Sequence, residues 1–265
     1  MEIKFLNIQA KKDTKKIKNF NLVINGEKTT GIYQDTSQII SSLLTNKISY
    51  DGNIYINDNE LLDKKKVVYL DNLDNYTFLT KTVSDEFYLL RNKLSDLSNE
   101  DYLQKIISSL ILVGMPEDFL KRDIITLSKS EERLLQIALS LILNPDIFII
   151  NEPFFNLDKK YIFKFKKILL ELKRKYKKTI IIESLDINVL YELCDYLIIM
   201  KDNQLLIKDK MTNVFKDISF LLNNQIEIPN FIEFKNVASL YEVKLSNHKE
   251  INDLIKEVYR HAGKN

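Results

Sequence analysis

The fold turns on one stretch, Asn144-Pro145-Asp146-Ile147-Phe148-Ile149-Ile150-Asn151-Glu152-Pro153. The proline ends whatever helix precedes it, and four apolar residues then follow with no alternation, the pattern of a parallel strand covered on both faces. Upstream, Ser128 followed by Glu131 forms a Ser-x-x-Glu capping box. It opens a helix that carries Ile137, Ala138, Leu141 and Ile142 on its apolar face. Downstream, a lysine-rich helix over about residues 159–176 leads to a second apolar run, Ile180-Ile181-Ile182. Two buried strands joined by a helix make a βαβ unit, right-handed by a strong topological rule.

Short strands are expected around residues 3–8, 20–24, 29–33 and 53–57, forming a mostly antiparallel layer. Ile39, Ile40, Leu43 and Leu44 lie on one face of a helix after the third of these, so a strand, a polar turn and a helix occupy residues 29–46. Over residues 83–143 the apolar period is helical, with Phe87, Leu89, Leu90 and Leu94 in one segment and Ile106, Ile107, Leu110 and Ile111 in another; the aromatics Phe87 and Tyr88 read as core residues. A strand at 195–200 and a short partner at 204–207 follow, and the rest is helical. Ile251, Leu254, Ile255, Val258 and Tyr259 share one face of the last helix. The basic run at 164–178 reads as the solvated side of an amphipathic helix.

The chain has 265 residues, 45% hydrophobic and 29% charged, which suits a folded globular protein with one substantial core. Its 39 basic and 37 acidic side chains leave +2, so charge gives no argument for a nucleic-acid partner. One cysteine, Cys194, excludes an internal disulfide framework and, between apolar neighbours, reads as a core residue. The two histidines, His248 and His261, leave little room for His/Cys metal sites or a His-based triad. The start is charged where a secretory signal is apolar, and no run reaches the ~18 apolar residues of a spanning helix. Only five glycines occur, so glycine-built phosphate loops have few possible positions.

Taken together, residues 127–133, 144–153 and Asn156-Leu157-Asp158 resemble the ATPases of ABC transporters: in order, the signature loop and its helix, the Walker B strand and the D-loop. Residues 179–186 are similar to the strand and H-switch, and 195–200 to the strand that follows. The start of the chain, Gly26-Glu27, residues 52–56 and Thr82-Val83 extend the likeness over residues 1–215. Val214-Phe215 and Ile228-Pro229 resemble the C-terminal extension of energy-coupling-factor transporter ATPases. The implied fold is an α/β, P-loop NTPase-like core with an N-terminal antiparallel β layer. A helical insert at about 83–143 and a C-terminal helical extension, 216–265, complete it.

The resemblance also implies ATP and magnesium as ligands, and the residues argue against both. The P-loop position is Gly31-Ile32-Tyr33-Gln34-Asp35-Thr36-Ser37-Gln38-Ile39-Ile40-Ser41-Ser42. In one register the lysine falls on Ile40 and the magnesium hydroxyl on Ser41, with Ser42 next; in the other they fall on Ser37 and Gln38. No lysine lies between Lys28 and Lys47, so neither register supplies one. The Walker B aspartate is Asn151, which brings no charge to a hard cation. The neighbouring Glu152 keeps the family's general base. Leu185 replaces the H-switch histidine and can neither donate nor accept through its side chain. The Q-loop glutamine falls on Asp71 or Asn72, and the adenine-stacking aromatic falls within Ala10-Lys11-Lys12. In the signature loop Ser128 is kept, but Lys129 and Ser130 replace both glycines and place side chains where a partner's phosphate would approach. Ser128 reads equally well as a helix cap.

The expectation is therefore a degenerate, inactive ATPase-like subunit of an ABC transporter, of the energy-coupling-factor type that the C-terminal resemblance implies. It would pair as a heterodimer with an active homologous ATPase through Asn156, Leu157 and Asp158. It would also seat a transmembrane subunit between the Asp71–Asn72 region and the helical insert. It would lie in the cytoplasm on the inner face of the cell membrane, held there by that subunit, with no nucleic-acid partner. Two other readings stay open: a weak ATPase using Glu152, and a stand-alone regulatory scaffold.

Overall fold

The computed structural model describes residues 1–33, 38–57, 59–60, 67–241, 243, 245–246 and 251–262. Two sheets organise the chain. The first is antiparallel in the order β2-β1-β4-β5, from β1 (Glu2–Lys12), β2 (Lys15–Asn25), β4 (Tyr50–Ile56) and β5 (Asn59–Glu60). The second has the order β10-β9-β3-β8-β7-β6. Its strands are β3 (Thr29–Tyr33), β6 (Val67–Leu70), β7 (Ile147–Asn151), β8 (Thr179–Ser184), β9 (Tyr196–Lys201) and β10 (Gln204–Lys210). Five of the six run parallel, and β10 pairs antiparallel to β9 on the edge.

The apolar run that decides the fold behaves as its lack of alternation requires. Ile147 and Ile149 pack towards the antiparallel sheet, with Ile181, Ile198 and all four apolar residues of α1 (Ile39–Leu44). Phe148 and Ile150 pack on the opposite face with Ile180, Ile182 and the helices α4 (Lys129–Ile142), α5 (Lys159–Arg174) and α6 (Ile187–Leu193). A strand at the centre of a covered sheet has two apolar faces, so every residue of β7 is buried. The pairing of β7 with β8, joined by α5, is the expected βαβ unit.

The expected strand at 29–33 forms, but β3 belongs to the parallel sheet between β8 and β9, not to the antiparallel layer. Gly31 explains its tight fit: a Cβ there would meet Cys194 Sγ and Leu190 at 3.0 Å. Cys194 itself is fully buried.

The helical insert consists of α2 (Val83–Tyr88), α3 (Asn99–Leu112), α4 and short 3-10 turns. Phe87 is buried as expected, whereas Tyr88 is half-exposed and not a core residue, because α2 turns only one side inward. On α5, Phe165, Ile168, Leu169 and Leu172 are buried, Lys159, Lys160 and Lys167 are exposed, and Lys164 and Lys173 are half-buried, bonded to the Gly114 carbonyl and to Asp195.

After β10 come α7 (Met211–Val214), α8 (Ile218–Asn223), α9 (Asn230–Leu240) and α10 (Ile251–Ala262). Phe215 meets Tyr191 edge-on, and Phe231 stacks on the same ring, so the start of the extension is packed onto the main core. Among the described residues no helix is long and apolar enough to cross a membrane.

Candidate functional site

In a parallel sheet the loops beyond the carboxyl ends of the strands meet on one edge. Here β6, β7 and β8 deliver Asp71, Asn151–Glu152 and Ser184–Leu185 to that edge side by side. Of the P-loop positions, Gln34, Asp35, Thr36 and Ser37 lie outside the described residues. Ser41 and Ser42 are buried, and both hydroxyls donate to the Gln38 carbonyl, at 2.9 and 2.7 Å. The Lys12 ammonium, at the end of β1, donates to Ser42 Oγ at 2.9 Å. That contact ties β1 of the antiparallel sheet to α1 and had no signal in the local sequence.

The Asn151 amide donates to Asp71 Oδ1 at 3.1 Å, and Tyr69 Oη reaches the same carboxylate oxygen at 3.3 Å. Burial, with the carboxylates of Glu183 and Asp71 nearby, pushes the Tyr69 phenol far above its ordinary pKa and keeps it neutral. Asn72 caps a 3-10 turn over Leu73–Asn75, its side chain accepting from the Asp74 N–H. Asp71 is thus the residue bonded to the end of β7, and Asn72 shapes the loop.

Glu152 leaves β7 in the left-handed region, φ 42°. Its two carboxylate oxygens accept from the Ser184 hydroxyl and the Leu185 N–H, each at 2.7 Å. The retained carboxylate therefore holds the turn after β8, while the Leu185 side chain is exposed.

Ser128 caps α4. Its Oγ accepts from the Glu131 N–H at 3.2 Å, and its own N–H donates to Glu131 Oε2 at 2.9 Å. Lys129 pairs with Glu132 at 2.8 Å on the exposed side. Ser130 corrects the expectation that both side chains stand in a phosphate's path. It is buried, and it is bonded to Asp158, donating to Oδ2 at 3.3 Å and accepting from the N–H at 3.2 Å. A hydroxyl small enough to turn inward ties this loop to the start of α5. Asn156, before that start, adopts φ 57°, and Leu157 bonds back to the Phe154 carbonyl.

Partial burial alone would raise the Glu131 carboxyl, but the Ser128 hydrogen bonds and Arg122 at 3.3 Å outweigh it, and its pKa lies below the ordinary value. A lowered folded-state pKa stabilises above the unfolded value and is lost as pH falls through the folded one. The stability difference between the wild type and Glu131→Gln is therefore expected to be full near pH 6 and to shrink towards about pH 3, measured by urea unfolding. A difference that grows on acidification would contradict this assignment.

Two residues that sequence reasoning missed organise the edge. Arg133 of α4 is 2% exposed, and its guanidinium donates to the carbonyls of Asp71 at 2.5 Å and Asn151 at 2.9 Å. Glu86 of α2 is buried and accepts from the N–H groups of Leu79 and Thr80 and from the Thr80 hydroxyl, at 3.0, 3.0 and 2.9 Å. The only signal for either was a charged residue on the inward side of an apolar helical period. Glu86 fixes a segment that presents Leu79 at 78% exposure. The adjoining chain is bonded backbone to backbone with 122–124, next to Ile125 at 92%.

A family model described as ABC transporter matches residues 36–155. The energy-coupling factor transporter ATP-binding protein EcfA2 of Mycoplasma mobile is 27% identical over 165 residues, 61% of this chain and 52% of its own length. EcfA2 of Mesomycoplasma hyopneumoniae is 26% identical over 201 residues, 76% of this chain and 65% of its own. The chain thus spans about half to two thirds of the curated relatives it matches. In fold it is similar to cbiO1 from Clostridium perfringens, part of the ABC transporter complex cbiONQ. That likeness has a TM-score of 0.70 at 18% identity, covering 88% of this chain and 97% of that one. It is similar also to the ATP-binding cassette MJ0796 bound to ADP and Pi, with a TM-score of 0.66 at 23% identity, covering 79% and 98%. By matched domain, relatives and fold, the chain is similar to the ABC transporter ATP-binding proteins, among them those of the energy-coupling-factor kind.

Proposed function

We propose that this chain is a non-hydrolysing subunit of an ABC transporter, with residues 1–215 as the ATPase-like domain and 216–265 as a helical extension. It pairs with an active homologue and carries a transmembrane subunit on the surface around Leu79 and Ile125, which holds it at the inner face of the membrane. The observation that carries this reading is the engagement of the candidate ligand groups with one another. The Ser41 and Ser42 hydroxyls face the Gln38 carbonyl, the Asn151 amide faces Asp71, and both Glu152 oxygens hold residues 184–185. With no lysine between Lys28 and Lys47, these residues do not fit ATP and magnesium, and no catalytic step is assigned to them.

Asn156, Leu157 and Asp158 form the surface towards the homologous subunit in this reading, and Ser130 stiffens it from behind through Asp158. The test is to mix the purified chain with a family ATPase that retains its P-loop lysine, measuring assembly by sedimentation and ATP turnover in the mixture. A one-to-one complex is expected, with turnover unchanged when this chain carries Glu152→Gln. Turnover abolished by Glu152→Gln would instead make Glu152 a working base.

A further inference from the structure

Arg133 is among the largest fully buried side chains of the protein, and a guanidinium cannot shed its charge at neutral pH. Burial lowers its pKa to about 10, opposed by the Asp71 carboxylate, so it stays a cation. Such a group persists inside a protein only where acceptors surround it. Here they come from three elements. The fork donates to the Asp71 carbonyl beyond β6, to the Asn151 carbonyl at the end of β7, and to Gln136 Oε1 on its own helix at 2.5 Å. Gln136 in turn donates to the Asp71 carbonyl at 3.3 Å. The plane lies 5.9 Å from the Phe165 ring of α5.

The segment leaving Asp71 is then held along its length. Its turn closes through the Asn75 and Tyr76 N–H groups, Leu73 is buried, and Tyr76 meets Phe78 edge-on at 4.9 Å. Residues 79–80 end on Glu86.

We propose that Arg133 is a positioning residue, a built-in cation that fixes residues 71–79, and with them exposed Leu79, to α4 and β7 with no ligand bound. It rests on the reading of a chain that does not use nucleotide. The geometry gives that reading a mechanism, since a segment tied by a resident cation needs neither metal nor phosphate to stand in place.

The test is hydrogen exchange of the full chain, followed by mass spectrometry, with and without millimolar Mg-ATP. In the wild type, residues 72–76 are expected to be protected without nucleotide and unchanged by it. In Arg133→Gln they are expected to exchange at least about tenfold faster while α5 and β8 keep their protection, a local loss that general destabilisation does not produce. Unchanged exchange at 72–76 in a folded Arg133→Gln protein overturns the role given to Arg133. If that variant loses protection throughout, Gln136→Ala carries the test. It removes the amide bonded to both the guanidinium and the Asp71 carbonyl, and a rise of about threefold is expected. No rise there overturns the role equally. Protection of 72–76 gained only with Mg-ATP in the wild type overturns the nucleotide-free reading instead, whatever the variants do.

Discussion

Replacing Phe165 by alanine is expected to cost about 3–5 kcal/mol of unfolding free energy, the range for truncating a buried aromatic side chain. Phe165 has no exposed surface, meets Phe154 edge-on at 6.1 Å and lies against the Arg133 guanidinium. Those contacts join α5 to the segment after β7 and to α4, so one ring backs three parts of the fold at once. Removing it opens a cavity under all of them and deprives a buried cation of its neighbour. Phe163, only two residues away on the same helix, points to the other side and is 63% exposed. Phe163→Ala is therefore expected to shift stability by no more than about 0.5 kcal/mol. Equal effects of the two substitutions in urea unfolding would contradict this placement of the core.

Leu79→Glu is expected to abolish retention of a membrane subunit while leaving the isolated chain as stable as before. At 78% exposure Leu79 contributes little to folding, and Glu86 holds its backbone whatever side chain it carries. In a bound complex the same position would bury a carboxylate without a partner. An apolar anchor lost in this way costs about 2 kcal/mol or more, or at least about thirtyfold in affinity. Co-purification of the transporter complex from detergent-solubilised membranes reads the effect, and thermal unfolding of the isolated variant supplies the control. Undiminished co-purification would rule out this surface as the seat.

The central strands were legible in the sequence because burial on two faces leaves an unbroken apolar run, as in Ile147–Ile150, and because Pro145 and the Ser128 capping box mark helix ends by local chemistry. What escaped notice was set by distant partners. The strand Val67–Leu70 is a four-residue edge strand with only Leu70 buried, too short to show a period. The helix Ile187–Leu193 is also short, and the side chain of its Asp186 cap bonds the Asn188 N–H. The sheet to which Thr29–Tyr33 belongs is decided by the strands on either side of it, not by its own residues.

The candidate site divides in the same way. Asp71, Asn151, Glu152 and Leu185 were named from motif spacing, and they do meet along one edge. That Asn151 donates to Asp71, or that Ser130 turns inward to Asp158, depends on side chains up to 80 positions apart and leaves no mark in local sequence. Arg133 and Glu86 were hidden for the opposite reason. On an amphipathic helix a charged residue is assigned to water unless a buried acceptor or donor set awaits it.

The most direct test of the central claim is equilibrium binding of a fluorescent ATP analogue, with magnesium, to the purified chain alone. The account predicts no saturable binding up to millimolar concentration by a protein that remains folded. Magnesium-dependent binding in the micromolar range would contradict it.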